Sequence, residues 1–429
     1  MGVSQGPAQK PGFHYRPRVA DGDLATLLAT TGAVVIEGPR GCGKTETALR
    51  AAASAVRLDI EDEARKAGLL APDLLLDGPR PQLIDEWQLV PAVWNQVRRA
   101  VDAVGGRPGQ FILTGSAVPA DDVTRHSGAL RFSRLRMRPM SLAEAGRSTG
   151  EVSLAALLAG EGPRATDPGL DIRDIAQLVA VGGWPALLDR TTDTALRAVR
   201  GYLDETRRAD LARVDGVSRD PENVGRVLRS LARHVATQAS ARSIAADVGG
   251  AEGPIDHHTV LGYIAALSRV FVVEDVPAWS PALRSRTPLR SAPTRHFVDP
   301  SLAVAALGAD PDRLLREVET LGLLFESLAV RDLRIFAQAL DATVTHYRDA
   351  TDLEADAIIE RRDGTWAAFE VKLGPNAADD GARSLLRLAD RIDPVRHGRP
   401  AALVVLTGWG YAYRRPDGVC VVPIGTLGP

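Results

Sequence analysis

The chain has 429 residues, 45% hydrophobic and 25% charged, an ordinary globular balance and enough length for roughly two to four domains with cores of their own. Its formal net charge of −2 excludes a global basic field for nucleic acid or acidic lipid, so any such contact must be local. Two cysteines, Cys42 and Cys420, exclude a disulfide framework, and no run reaches the length of a membrane span, so a soluble cytoplasmic protein with no membrane partner is expected.

Residues 1–20 are rich in proline and glycine and read as an irregular lead-in, followed by a helix over 23–30. Residues 33–36 form a short, mostly β-branched run suited to a buried parallel strand, and residues 45–50 open an alanine-rich helix. Between them Gly38, Pro39, Arg40, Gly41, Cys42, Gly43, Lys44 and Thr45 fill every fixed position of the phosphate-loop pattern GxxxxGK[ST]. The glycines let backbone amides turn inward around phosphates, Lys44 adds a point charge, and the Thr45 hydroxyl can ligate Mg²⁺, so ATP and Mg²⁺ are the expected cofactors. Only four of the 52 basic residues are lysine, and one of them stands in this loop. A compact ammonium enters a tight site that the guanidinium fork does not, which makes the exceptions chemically informative.

A second strand is expected over 56–60 and a charged helix over 61–68. The apolar segment 81–87 then ends in Asp85 and Glu86, a Walker B pattern in which Asp85 holds Mg²⁺ and Glu86 orients or deprotonates the attacking water. Residues 111–116 read as a strand with polar tips, where Thr114 or Ser116 either senses a γ-phosphate or caps a turn. Residues 126–138 carry four arginines, with Arg125 just before them. A surface-edge strand accounts for most of them, while Arg131 or Arg134 is the candidate arginine finger, acting across a subunit interface of a homo-oligomer.

On residues 38–45, 83–87, 113–116 and 126–139, the chain from 1 to about 215 resembles the AAA-type ATPases of a prokaryotic group that joins an ATPase module to a C-terminal domain of unsettled function. The resemblance implies a P-loop NTPase parallel sheet with helices on both faces and a helical lid after it, with Gly182, Gly183, Trp184 and Pro185 matching a turn in that lid.

Residues 222–235 are an amphipathic helix, 243–248 and 256–267 two more, and 271–273 a wing-like strand, an order that resembles a winged helix. The start of its third helix carries no arginine, so packing is the default over DNA reading. Residues 280–294 read as a linker, with a new domain opening near His296. In that domain Glu326 lies on an apolar helix, and two apolar strands flank a hairpin at 361–364 that brings Asp356 beside Glu370. Alternation puts Glu370 and Lys372, a second of the rare lysines, on one face. Strands over 403–406 and 419–422 complete the sheet.

Two carboxylates and a lysine on one face resemble the PD-(D/E)xK nuclease fold, although Ala355 stands where a proline usually precedes the first aspartate. The resemblance implies Mg²⁺ held by Asp356, Glu370 and Glu326, catalysis by Glu370 and Lys372, and DNA or RNA as partner. The expected architecture is α/β: an ATPase core over 1–150, a helical lid over 151–215, a winged-helix-like domain over 216–285, and a restriction-endonuclease-like domain over 290–429. The competing expectation is an ATP-controlled binding or regulatory protein whose C-terminal domain does not cut.

Overall fold

A computed structural model describes residues 14–117, 128–211, 216–217, 219–249, 255–280, 292–349 and 351–429. His126 and Ser127 of the arginine-rich stretch, and most of the expected linker, lie outside these residues. The chain divides into two units: Met1–Pro139 with Ala212–Val217 and Arg269–Phe271, and Met140–Leu211 with Ser218–Ser268 and Val272–Pro429.

In the first unit, strands β1 (Ala33–Glu37), β2 (Ser54–Arg57), β3 (Gln82–Asp85), β4 (Phe111–Gly115) and β5 (Phe132–Arg136) form a parallel sheet in the order β2-β3-β4-β1-β5. Alternation along β1 sends Val34 and Ile36 to one face with Leu83, Ile112 and Leu24, the last from helix α1 (Val19–Thr30). Ala33 and Val35 go to the other face with Ile84, Leu113 and Val97 of α4 (Val93–Ala103). Both faces are covered, which is why the central strands β1, β3 and β4 read as apolar runs.

Two boundaries differ from expectation. Helix α1 starts at Val19 because Asp21 accepts from the Arg18 amide at 2.9 Å and closes the first turn. Strand β2 stops at Arg57, since the amides of Ile60 and Glu61 both donate to its carbonyl, at 3.2 and 2.8 Å, and turn the chain away. Helices α2 (Lys44–Ala51) and α3 (Asp62–Leu70) follow β1 and β2.

The second unit contains β6 (Val152–Ser153), α5 (Leu154–Leu158), α6 (Ile172–Val181) and α7 (Thr192–Glu205), most of the segment expected as a lid. Helices α8 (Pro221–Arg233), α9 (Ala241–Gly249) and α10 (His257–Arg269) precede a two-stranded antiparallel ribbon, β7 (Val273–Val276) with β8 (Thr294–Phe297). The strand starts at Val273 rather than 271 because Phe271 is left-handed, φ 59°, and Val272 closes back onto the Leu267 carbonyl at 2.9 Å. His296, near which a new domain is expected to open, lies in this ribbon.

Helices α11 (Pro300–Leu307), α12 (Pro311–Arg316) and α13 (Val318–Ala339) lead into a six-stranded mixed sheet. Its strands are β9 (Ala342–Arg348), β10 (Glu354–Arg361), β11 (Trp366–Lys372), β12 (Ala402–Thr407), β13 (Tyr413–Arg414) and β14 (Cys420–Pro423), in the order β13-β14-β12-β11-β10-β9. The meander β9-β10-β11 is antiparallel, and β11, β12 and β14 are parallel. Ile358, Trp366, Ala368 and Val405 pack against Ala382, Leu385 and Leu388 of α14 (Ala378–Arg391), while α13 packs over β9, β10 and β11. The last strand, β15 (Leu427–Gly428), pairs in parallel with β6. Among the described residues no helix is long and apolar enough to cross a membrane.

The turn at Gly182 docks inside this unit. Asp299 accepts from the Gly183 amide at 3.0 Å, and the Trp184 indole donates to Ser301 at 2.9 Å. Gly182 is at φ 74°, and a Cβ on Gly183 would collide with the Met140 carbonyl, so both glycines are steric requirements.

Candidate functional sites

The phosphate loop leaves the C-terminal end of β1 and feeds α2, with Gly41 and Gly43 left-handed at φ 74° and 106°. A Cβ at Gly38 would collide with the Met137 carbonyl, which fixes that position by close approach. Lys44 is 5% exposed, and its ammonium donates to the carbonyls of Gly38 and Pro39 at 2.9 and 2.8 Å.

Strand β4 lies beside β1 and β3 beside β4, so that β4 carries Thr114 and β3 carries Asp85 at the same end of the sheet as this loop. The Thr45 hydroxyl donates to Asp85 Oδ1 at 2.9 Å, and the Thr114 hydroxyl donates to the same oxygen. Asp85 is 1% exposed. Burial pushes its carboxyl above the ordinary range, helped by nearby Glu86 and Asp59, while the two hydroxyls pull it back. Arg57 Nε stands 3.6 Å from Asp85 Oδ2 and supplies a countercharge. A hydroxyl and a partly compensated carboxylate side by side at a phosphate loop fit Mg²⁺ chemistry, because the cation supplies the charge that burial makes scarce.

Glu86 is left-handed, φ 54° and ψ 47°, an uncommon geometry for a residue with a side chain. Its amide donates to the Thr114 hydroxyl at 3.2 Å. Its carboxylate is held through Oε2, which accepts from Ser116 Oγ at 3.0 Å and from the Gln88 amide. Ser116 and Thr114 thus serve different acids. Gln88 escaped the sequence reading, and its only signal was its place two residues beyond Glu86. Arg57 gave none.

The two finger candidates sit differently along the edge of the sheet. Arg131 precedes Phe132, which is in register with Ala33 at the far end of β1, ~15 Å along the strand from the loop. It pairs with Asp102 at 2.8 Å. Arg134 is in register with Val35 and pairs with Glu37.

The second site lies at one end of the meander. Ala357 faces Phe369 across β10 and β11, which puts Asp356 beside Glu370. A bulge between Ala355 and Ile358 frees Asp356 from the ladder with β9, and its Oδ2 accepts from the Val371 amide at 2.6 Å. Lys372 Nζ donates to Glu370 Oε1 at 2.8 Å. Glu370 is 4% exposed, and its Oε2 is buried with no hydrogen-bond partner. Burial first and Asp356 second push Glu370 up to about 8. Glu326, on α13, is pushed well above the carboxylate range by burial and by Asp356 and Glu370, and burial likewise raises Asp356. The three acids share one electrostatic neighbourhood without surrounding a common centre. Among the described residues no three His, Cys, Asp or Glu side chains are spaced to hold a metal ion. As placed, this cluster fits a proton and the Lys372 ammonium rather than a preformed cation cage.

Residues 30–146 match the family model described as an AAA domain. Residues 172–313 match domain of unknown function DUF8612, and residues 321–427 match domain of unknown function DUF4143. No curated protein matches. Among solved structures the chain is similar to the Walker-type ATPase PABY2304 of Pyrococcus abyssi, at 12% identity and TM-score 0.43, over 68% of this chain and 96% of that one.

Proposed function

We propose that the protein is an Mg²⁺-dependent ATPase whose nucleotide cycle controls the acid and lysine site of its second unit. The observation that carries the first half is the 2.9 Å contact of Thr45 with Asp85 at the mouth of a complete phosphate loop. The AAA-domain match over residues 30–146 supports it. Loop amides and Lys44 hold the β- and γ-phosphates, with Lys44 exchanging the Gly38 and Pro39 carbonyls for phosphate oxygens. Thr45 and Asp85 hold Mg²⁺, which supplies charge neutralisation at the phosphates. Glu86, anchored through Oε2, accepts the proton of the attacking water at Oε1. A finger from Arg131 requires a second copy of the chain, since within one chain it faces the wrong end of β1. The test is ATP turnover in wild type, Lys44→Ala and Glu86→Gln; equal rates in all three would refute the assignment.

For the second unit, the one-ended grouping of Glu326, Asp356, Glu370 and Lys372 supports action on a nucleic-acid phosphate. The engagement of Glu370 with Lys372, with no third donor completing a cage, favours a second reading in which this domain binds its partner without cutting. Incubating DNA and RNA with Mg²⁺ or Mn²⁺ and comparing wild type with Lys372→Ala separates the two. Lysine-dependent cleavage establishes the nuclease, and retention without cleavage establishes the binding module.

A further inference from the structure

A phosphate loop turns its amides inward, so its carbonyls need partners on the outside. Lys44 takes those of Gly38 and Pro39. The carbonyl of Cys42, a residue with no exposure, is taken by Arg18, whose Nη1 donates to it at 2.7 Å. The other arm of the same guanidinium donates to the Arg138 carbonyl at 2.8 Å. Arg18 is itself 7% exposed.

Both ends of this bridge are built. The Arg18 amide is fixed by Asp21 Oδ2, and Asp21 Oδ1 accepts from the Tyr15 hydroxyl at 2.5 Å. That hydroxyl also lies 2.8 Å from Thr47 on α2, so the helix behind the loop is tied to the base of the arginine. At the other end the Met137 amide donates to the Glu37 carbonyl at 2.7 Å, and Gly38 abuts the Met137 carbonyl with no room for a Cβ. Residues 137–138 therefore form a wall on which the loop rests, and Pro139 is the last residue of that stretch of the unit.

Lys44 and Arg18 have different duties. Lys44 must leave its two carbonyls to reach a phosphate, whereas Arg18 grips the outer side of the loop and need not move. We propose that Arg18 is a positioning residue of the nucleotide site. It bridges the Cys42 and Arg138 carbonyls, keeping the loop in its anion-binding shape when Lys44 turns to the nucleotide and passing nucleotide occupancy to the segment at Arg138. This rests on the ATP-binding reading above.

The experiment uses the full chain, with a fluorescent ATP analogue for affinity, phosphate release for kcat and KM, and amide hydrogen exchange over residues 134–142 with and without nucleotide. In wild type, nucleotide protects that segment. Arg18→Lys keeps the charge but not the two-armed fork, so affinity falls about tenfold, KM rises with it and kcat changes less. The nucleotide-dependent protection is lost in the variant. Unchanged affinity and retained protection in Arg18→Lys would overturn the bridge. Wild type that binds nucleotide without protecting residues 134–142 would overturn the coupling however the variant folds. Failure of wild type to bind the analogue at all would remove the ATP-binding reading, and the inference with it.

Discussion

The Thr45 hydroxyl donates to Asp85 Oδ1 at 2.9 Å, joining the end of the phosphate loop to the tip of a strand two places away in the sheet. The contact puts the two ligands expected for Mg²⁺ on one spot. Asp85→Asn keeps the hydrogen bond and removes the charge. Turnover should therefore fall roughly 100-fold or more and no longer respond to Mg²⁺ concentration, while folding stays intact. Phosphate release across an Mg²⁺ titration, with a melting curve alongside, checks this; a wild-type Mg²⁺ response in the Asp85→Asn variant contradicts it.

Glu86 and Ser116 make the next prediction. Because Ser116 and Gln88 hold only Oε2, removing either loosens the base without removing it. Glu86→Gln should lower turnover by about 100-fold or more with nucleotide affinity preserved, and Ser116→Ala should lower kcat about tenfold with KM nearly unchanged. Steady-state kinetics of both variants decides it, and a rise in KM at constant kcat would place Ser116 in binding instead.

The phosphate loop and the Asp85-Glu86 strand end were legible because each is a local pattern whose chemistry dictates its letters. The meander with Asp356 beside Glu370 was legible for the same reason: a hairpin turn fixes register over a few residues. What stayed hidden depends on distant partners. The steric demand on the glycines at 182 and 183 shows only once Asp299 and Met140 are placed against them. Pairing of Leu427 with Val152 joins residues far apart in sequence, and no local pattern announces it. Arg331 and Asp332 sit in the middle of α13, where sequence alone cannot tell a buried pair from a solvated one.

Those two residues give a stability prediction. Arg331 pairs with Asp299 at 2.8 Å and with Asp332 at 2.7 Å, all three side chains at most 2% exposed, and Asp332 also accepts from the Leu142 amide at 2.9 Å. Breaking such a network strands a buried charge. Asp299→Ala should cost about 3–5 kcal/mol, more than replacing an exposed pair such as Arg197 with Asp193, which should cost under about 1 kcal/mol. Denaturant unfolding of the two variants ranks them; equal costs would mean the network is not the anchor its burial implies.

The last prediction concerns Glu370 and pH. Its carboxyl is raised from an ordinary 4.5 to about 8 by burial and by Asp356, so the folded chain keeps a proton that the unfolded chain releases. Below about 4.5 both states are protonated and nothing is lost. As pH rises from there to about 8 the unfolded state binds fewer protons, so stability falls throughout that window and levels off above it. Asp356 and Glu326, also raised, push in the same direction. Glu370→Gln removes one ionisable partner while leaving Lys372 an acceptor. It should flatten the decline and leave the protein more stable than wild type at pH 8 by on the order of 2 kcal/mol. Denaturant unfolding at several pH values measures both slopes, and a variant as steep as wild type would show that Glu370 does not carry the proton. Repeating the series with Mn²⁺ bears on the function of the domain, because a cation entering the cluster displaces that proton and flattens the wild-type slope, whereas a module that binds without a metal keeps it.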